Sequence, residues 1–317
     1  MKQLSGLDAS FLYLESPRQF GHVSSLSIFE KPDADYDPFP AWRDQIERRL
    51  HLLEPIRRKL RNVPFGLDHP FWIDDPDFDL DFHVRHTAVA PPANDDQLAE
   101  LVARIIARPL DRTRPLWESY VIEGLGNDRF AILTKVHHAT IDGASGAELL
   151  TMMLDRQPEG DVVPPPEQAF EPEREPSDVE VLTRTIPSLV RKPGRAVVLT
   201  ARTVRQLGQA TRNPVMVAAA NQVRSSLRGP VGRVMNIGRQ RDPEAEVVGP
   251  LPSLAPPATP FNARISAHRR FAFRSTSLDT VKGIKNAFGA TVNDVVMAVC
   301  AGGLRTWLDS HGALPDR

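Results

Sequence analysis

The sequence predicts an α/β protein of two halves joined by a long connector, and three observations carry that expectation. An apolar, β-prone run from Phe130 to Val136 leads straight into two histidines and then into a helix signal. Leu26 to Phe29 reads as a further strand, and Asp77-Phe78-Asp79-Leu80-Asp81-Phe82 alternates as a strand with one polar and one apolar face would. Amphipathic helical patterns accompany them. One spans 41–60, with Ile46, Leu50, Leu53 and Leu60 among many charges; another spans 97–107 and ends before Pro109.

The chain has 317 residues, room for about two domains with large cores. Its 41% apolar and 25% charged fractions are those of a soluble globular protein. With 39 Lys+Arg against 40 Asp+Glu the net charge is -1, which argues against a nucleic-acid binder that works through global charge. The single cysteine, Cys300, excludes an internal disulfide framework and a cysteine zinc cluster, and it fits a reducing compartment. It lies in an apolar helical pattern and is expected in the core. The 29 prolines, about 9% of residues against roughly 5% usually, cluster at linkers and element ends.

Composition divides the chain at 1–154, 155–260 and 261–317. From Asp155 to Glu180 there are nine acidic residues, two basic ones and six prolines, a linker composition. From Val181 to Arg241 the balance reverses to twelve Lys/Arg and no acidic residue, and a proline-rich strip follows at 250–260. Globular patterning then resumes with a strand-like Arg269 to Phe273 and helices near 278–288 and 292–308. No stretch approaches the ~20 apolar residues of a membrane span, and the first residues, MKQLSGLDASF, lack the apolar core and cleavage site of a signal peptide. No transmembrane helix and no secretion are expected.

The segment Val136-His137-His138-Ala139-Thr140-Ile141-Asp142-Gly143 carries the chemistry. Ser145, with Glu148 three residues on, opens a helix, so the histidines sit on a loop between strand and helix. Imidazole, with an unperturbed pKa of about 6.5, is the side chain best suited to accept a proton near neutrality. Asp142 either orients an imidazole or braces the loop, and Gly143 allows a close approach that a Cβ would block.

Other chemistries fit poorly. Adjacent strand residues face opposite ways, which hinders joint zinc ligation by His137 and His138. Gly143-Ala144-Ser145-Gly146 has the wrong spacing for a nucleophilic serine, and no phosphate-binding glycine loop is present. A histidine base without a serine or cysteine partner fits direct acyl transfer from a thioester to an alcohol.

Several segments together resemble one family. HHATIDG at 137–143 resembles the HHxxxDG signature of the CoA-dependent acyltransferases. LSGLDASFLYLESP at 4–17, PLDRTRPLWE at 109–118, TPFNARISAHRRFA at 259–272 and ATVNDVVMAV at 290–299 are similar to segments of the bacterial wax ester synthase/diacylglycerol acyltransferase family. The resemblance implies two related chloramphenicol-acetyltransferase-like two-layer α/β domains, with the active site and a tunnel at their interface. It implies acyl-CoA as donor substrate, no permanently bound cofactor or metal, and diacylglycerol or a long-chain alcohol as acceptor.

By the same resemblance His138 is the general base, His137 a supporting residue, Asp142 an architectural one, and Gly143 leaves room near the CoA channel. Asn293 and Asp294 correspond to the family's Asn-Asp pair, which approaches the reaction centre; an ordinary helix cap is the alternative. Pro115, Leu116 and Trp117 line the acyl route or simply pack the core. The basic stretch 181–241 suits an anionic membrane or lipid-droplet surface, or it is a solvated connector. It is too poor in aromatic residues for RNA stacking. A cytoplasmic protein, peripheral at the inner membrane or lipid droplet, is expected. Condensation-domain-like chemistry or a non-catalytic lipid-binding role is the alternative. The resemblance also implies a chain about half as long again, so the second domain is expected to be incomplete here, with a separate C-terminal fragment as its companion.

Overall fold

An apolar run without polar alternation needs cover on both faces. The computed structural model gives the run at 129–137 that cover, and it describes residues 1–140, 152–155, 157, 160–166, 174–191 and 259–315. Asp142, Gly143, the Ser145 cap and most of the basic stretch lie outside the described residues.

The main sheet joins β2 (His22–Glu30), β5 (Val84–Ala88), β6 (Trp117–Leu125) and β7 (Arg129–His137) in the order β2-β7-β6-β5. The pairs β2–β7 and β7–β6 are antiparallel, while β5 runs parallel to β6. The β6–β7 turn places Asn127 and Asp128 at φ 62° and 50°, left-handed values these two residue types tolerate. A smaller antiparallel sheet joins β1 (Lys2–Gln3), β3 (Arg58–Arg61) and β4 (Phe71–Asp74) in the order β1-β4-β3.

Helices cover the main sheet. α1 (Gly6–Leu14) starts on a Ser5 cap; α2 (Pro38–Arg49) contacts β5 and β6. Trp42 and Ile46 from α2 join Leu53, Ile56, Trp117, Val121, Phe130, Ile132 and Val136 in one core. Both indoles in it are satisfied: Trp42 donates to Ser119 Oγ at 2.9 Å and Trp117 to the Ile56 carbonyl at 2.7 Å. The helix expected at 97–107 is Asp95–Ile106, opened by a reciprocal Asn94–Gln97 cap and burying Leu98, Val102 and Ile105. This helix, α5, follows the short α3 (Glu54–Arg57) and α4 (Leu80–His83).

Three expectations are corrected. The alternating 77–82 segment is a turn followed by α4, because Asp75 and Asp79 accept bonds from the amides of Asp77 and Asp81 and so draw the backbone away from a ladder. The helix expected over 41–60 stops at Arg49; Pro55 starts the short α3, and Arg58 to Leu60 belong to β3. Arg269 to Phe273 runs as irregular chain outside both sheets.

The described residues fall into two compact units. The first holds both sheets, α6 (Asp178–Arg191) and residues 267–271; the second holds 259–266 and the helices α7 (Leu278–Phe288) and α8 (Val292–Ser310). Cys300, expected in a core, is exposed on α8, along with Val296, Met297, Val299 and Leu304. The apolar length of α8 exceeds the cover that α7 alone gives it. Among the described residues no single helix is long and apolar enough to cross a membrane.

A lysine in the main sheet is wholly enclosed. The Lys135 side chain is 0% exposed; its Nζ lies 3.2 Å from Glu118 Oε2 and donates to the Arg108 carbonyl at 3.0 Å. Burial, foremost, pulls this ammonium below its usual range, and Glu118 counters that. Glu118→Ala should therefore leave an unpaired buried charge, with unfolding in urea showing a loss of about 3–5 kcal/mol.

Candidate active site

The antiparallel register of β2 and β7 sets the site. It pairs His22 with His137, bringing the start of β2 against the end of β7. The ladder continues one residue further, where the His138 amide donates to the Gly21 carbonyl at 2.8 Å. On the other side the His137 amide donates to the Leu116 carbonyl at 2.9 Å. Both histidine backbones are thus fixed before any side chain is considered.

The two imidazoles go to different environments. His137 is 1% exposed. The Ala139 amide donates to its Nδ1 at 3.0 Å, so Nδ1 carries no proton in the neutral ring and Nε2 does. That Nε2 lies 3.2 Å from Glu15 Oε1, turned off a straight hydrogen-bond line. His138 is half-buried, stacks on Phe11, and borders an open cavity of about 270 Å³ with Leu14, Glu15, Gln19, Phe20 and His22.

Glu15 is the residue that pattern reading missed. It follows α1 directly, and its carboxylate gathers several donors: the Gly21 amide at 2.6 Å, Arg112 Nε at 3.1 Å and Arg112 Nη2. Burial works to raise this carboxyl, but the contacts with His137, Gly21 and Arg112 outweigh it and hold the group at about 2. Arg112 also donates to the Leu12 carbonyl at 2.6 Å, tying α1 to the segment before β6. The only sequence signal for Glu15 was its place inside the 4–17 segment.

Gly21 has a steric reason to be glycine. An added Cβ would sit 2.6 Å from His137 Nε2 and 3.2 Å from the Phe11 carbonyl, both too close. His22 is a further buried imidazole. Its Nε2 donates to the Ile106 carbonyl at 3.0 Å while Nδ1 is buried with no hydrogen bond. Burial, foremost, and the Lys135 charge push it down to about 4, so it is neutral at physiological pH.

The other expected site residues divide. Pro115, Leu116 and Trp117 are buried; Leu116 packs with Leu4, Ala9, Leu12 and Ala139, and Trp117 stacks on His83. Their link to the site runs through the Leu116 carbonyl. Asn293 and Asp294 belong to the second unit, where Asp294 closes a reciprocal cap with Thr291, its carboxylate accepting from the Thr291 amide at 2.8 Å. That cap lowers the Asp294 carboxyl. Asp142 and Gly143 lie outside the described residues.

Three outcomes test this arrangement. Glu15→Gln should cost about 10-fold or more in any activity that needs the histidine loop, the value of a hydrogen bond to a charged group. The stability that the low Glu15 carboxyl contributes is full above about pH 4.5 and drains as pH falls toward 2, so acid unfolding of Glu15→Gln should lack that limb. Gly21→Ala should displace His137 and lower the melting temperature more than Gly283→Ala, where an added Cβ meets open space.

Against known proteins, the chain matches the wax ester synthase/diacylglycerol acyltransferase catalytic domain over residues 4–241 and 211–296. A Mycobacterium tuberculosis protein named as a diacylglycerol O-acyltransferase is 37% identical over the whole chain, which spans 57% of that relative. A second from the same species, also so named, is 34% identical across 89% of this chain and 95% of its own length. The solved wax ester synthase/diacylglycerol acyltransferase of Marinobacter aquaeolei VT8 is similar over the whole chain with a TM-score of 0.61 and 28% identity; this chain spans 63% of it. The chain therefore covers little more than half the length of several of its relatives, and by its match it belongs to the wax ester synthase/diacylglycerol acyltransferase family.

Proposed function

We propose that this chain carries the histidine-bearing part of an O-acyltransferase that moves a long-chain acyl group from acyl-CoA to diacylglycerol, giving triacylglycerol. The observation that carries the reading is the division of the histidine pair: His137 is enclosed with both nitrogens engaged or faced, while His138 borders an open cavity. An enclosed imidazole can brace a loop; one at a cavity can meet a substrate.

In this reading His138 is the general base. The acceptor oxygen forms a bond to the thioester carbonyl carbon as its proton passes to the imidazole. The tetrahedral intermediate then expels the CoA sulfur, which takes the proton back from the imidazolium. Every proton and electron pair is accounted for without a covalent enzyme intermediate. By the resemblance Asp142 is given an architectural role and Gly143 one of leaving room for CoA. Asn293 is the member of the Asn-Asp pair left to face a substrate, since Asp294 is engaged in its helix cap.

On this reading residues 1–154 form one acyltransferase domain, 155–260 connect, and 261–317 begin a second. The basic stretch 181–241 would hold the enzyme at an anionic lipid surface, where its substrates reside. A second acceptor, a long-chain alcohol giving wax esters, is favoured by the similarity to the Marinobacter enzyme, whose name carries both activities.

The test is lipid product analysis with palmitoyl-CoA and either diacylglycerol or hexadecanol. Triacylglycerol should form in the first, and His138→Ala should lose about 10²–10⁴-fold of the rate. Equal rates for wild type and His138→Ala would remove the assigned base. Wax ester alone would replace the acceptor.

A further inference from the structure

The region around α1 grips both histidines. Phe11 and Glu15 are four residues apart, so they project on the same side at the end of the helix. Glu15 meets His137; Phe11 meets His138. The Phe11 and His138 rings stack with centroids 4.3 Å apart and planes 11° from parallel. The His138 amide's bond to the Gly21 carbonyl at 2.8 Å and the Ala139 amide's bond to His137 Nδ1 at 3.0 Å fix the chain around that imidazole. Among the described residues no side chain forms a hydrogen bond with the His138 ring, so the Phe11 face is what defines its plane.

We propose that Phe11 is a positioning residue for His138: its ring holds the imidazole plane at the cavity and its π face stabilises the imidazolium formed when His138 takes the acceptor's proton. The proposal rests on His138 being the base. A cation over an aromatic face is attracted by the ring quadrupole, more strongly where water is thin, whereas a neutral imidazole gains less. The stack therefore favours the protonated form that exists only after proton transfer, which is where stabilisation speeds the chemical step.

Among the described residues, the titratable groups that face His138 are few. Glu15 borders the same cavity, but Arg112, the Gly21 amide and His137 already engage its charge. His22 is neutral, held so by burial and Lys135. His137 lies beside it in sequence and is enclosed.

The experiment uses the full chain with Phe11→Leu, Phe11→Tyr and Phe11→Trp. The His138 imidazole C–H signal is titrated by NMR, assigned by its loss in His138→Ala. In Phe11→Leu its midpoint should move to lower pH by about half a unit, the equivalent of an exposed cation–π contact. Phe11→Tyr should restore the wild-type midpoint, and Phe11→Trp should raise it. In turnover, Phe11→Leu should lower kcat about 2- to 5-fold with KM for acyl-CoA little changed, and carry the acid limb of kcat/KM to lower pH.

An unmoved midpoint in folded Phe11→Leu overturns the proposal, as does the same shift in Phe11→Tyr. If Phe11→Leu does not fold, the direction of the Phe11→Trp shift decides. The titration needs no turnover. A moved midpoint in a chain without transferase activity would keep the stacking role and remove the function proposed for His138.

Discussion

The site depends on a single carboxylate. Glu15 draws together the Gly21 amide, Arg112 and His137, and each of these belongs to a different stretch of chain: the entry to β2, the approach to β6 and the end of β7. A partly enclosed carboxylate costs solvation unless donors surround it, and here they arrive from three directions. The depressed carboxyl is the electrostatic record of that convergence. Without the charge, the three segments would keep their backbone bonds and apolar contacts but lose the one group on which all of them converge.

Around this point the apolar packing does slower, less directional work. Leu4, Ala9 and Leu12 of the N-terminal segment meet Leu110, Leu116 and Ala139, so the stretches that bring Arg112 and His137 to Glu15 also share a core with α1. Burial supplies energy in proportion to area, and the hydrogen bonds supply register. The enclosed Lys135–Glu118 pair repeats the logic one step along β7, fastening the chain after α5 through the Arg108 carbonyl.

Sequence patterning reached the strands and the histidine pair because both are local. Phe130 to Leu133 announced a covered strand by their unbroken apolar run, and the motif a few residues on needed no partner to be read. Glu15 was invisible because its meaning lies in residues about a hundred positions away, and a lone glutamate after a helix looks like surface. The alternation at 77–82 misled because aspartates that satisfied the polar half of a strand pattern also offer the backbone local bonds, and the local bonds won. Trp117 could be read as a substrate contact or as core; its indole bond to Ile56 and its stack on His83 put it inside. Cys300 looked like core because single-helix patterning does not show how much cover a helix receives.

The pairing of His22 with His137 has a further meaning for how the protein comes to exist. The β6–β7 hairpin joins neighbours in sequence and can form quickly, whereas β2 must find β7 across more than a hundred residues, a loop whose closure entropy is not recovered until the contacts are made. The bond from His137 to Leu116 comes with that hairpin, whereas His138 gains its bond to Gly21 only at the late step. A nascent or partly folded chain thus has the histidine motif in sequence but no organised site, so chemical competence arrives together with the completed fold.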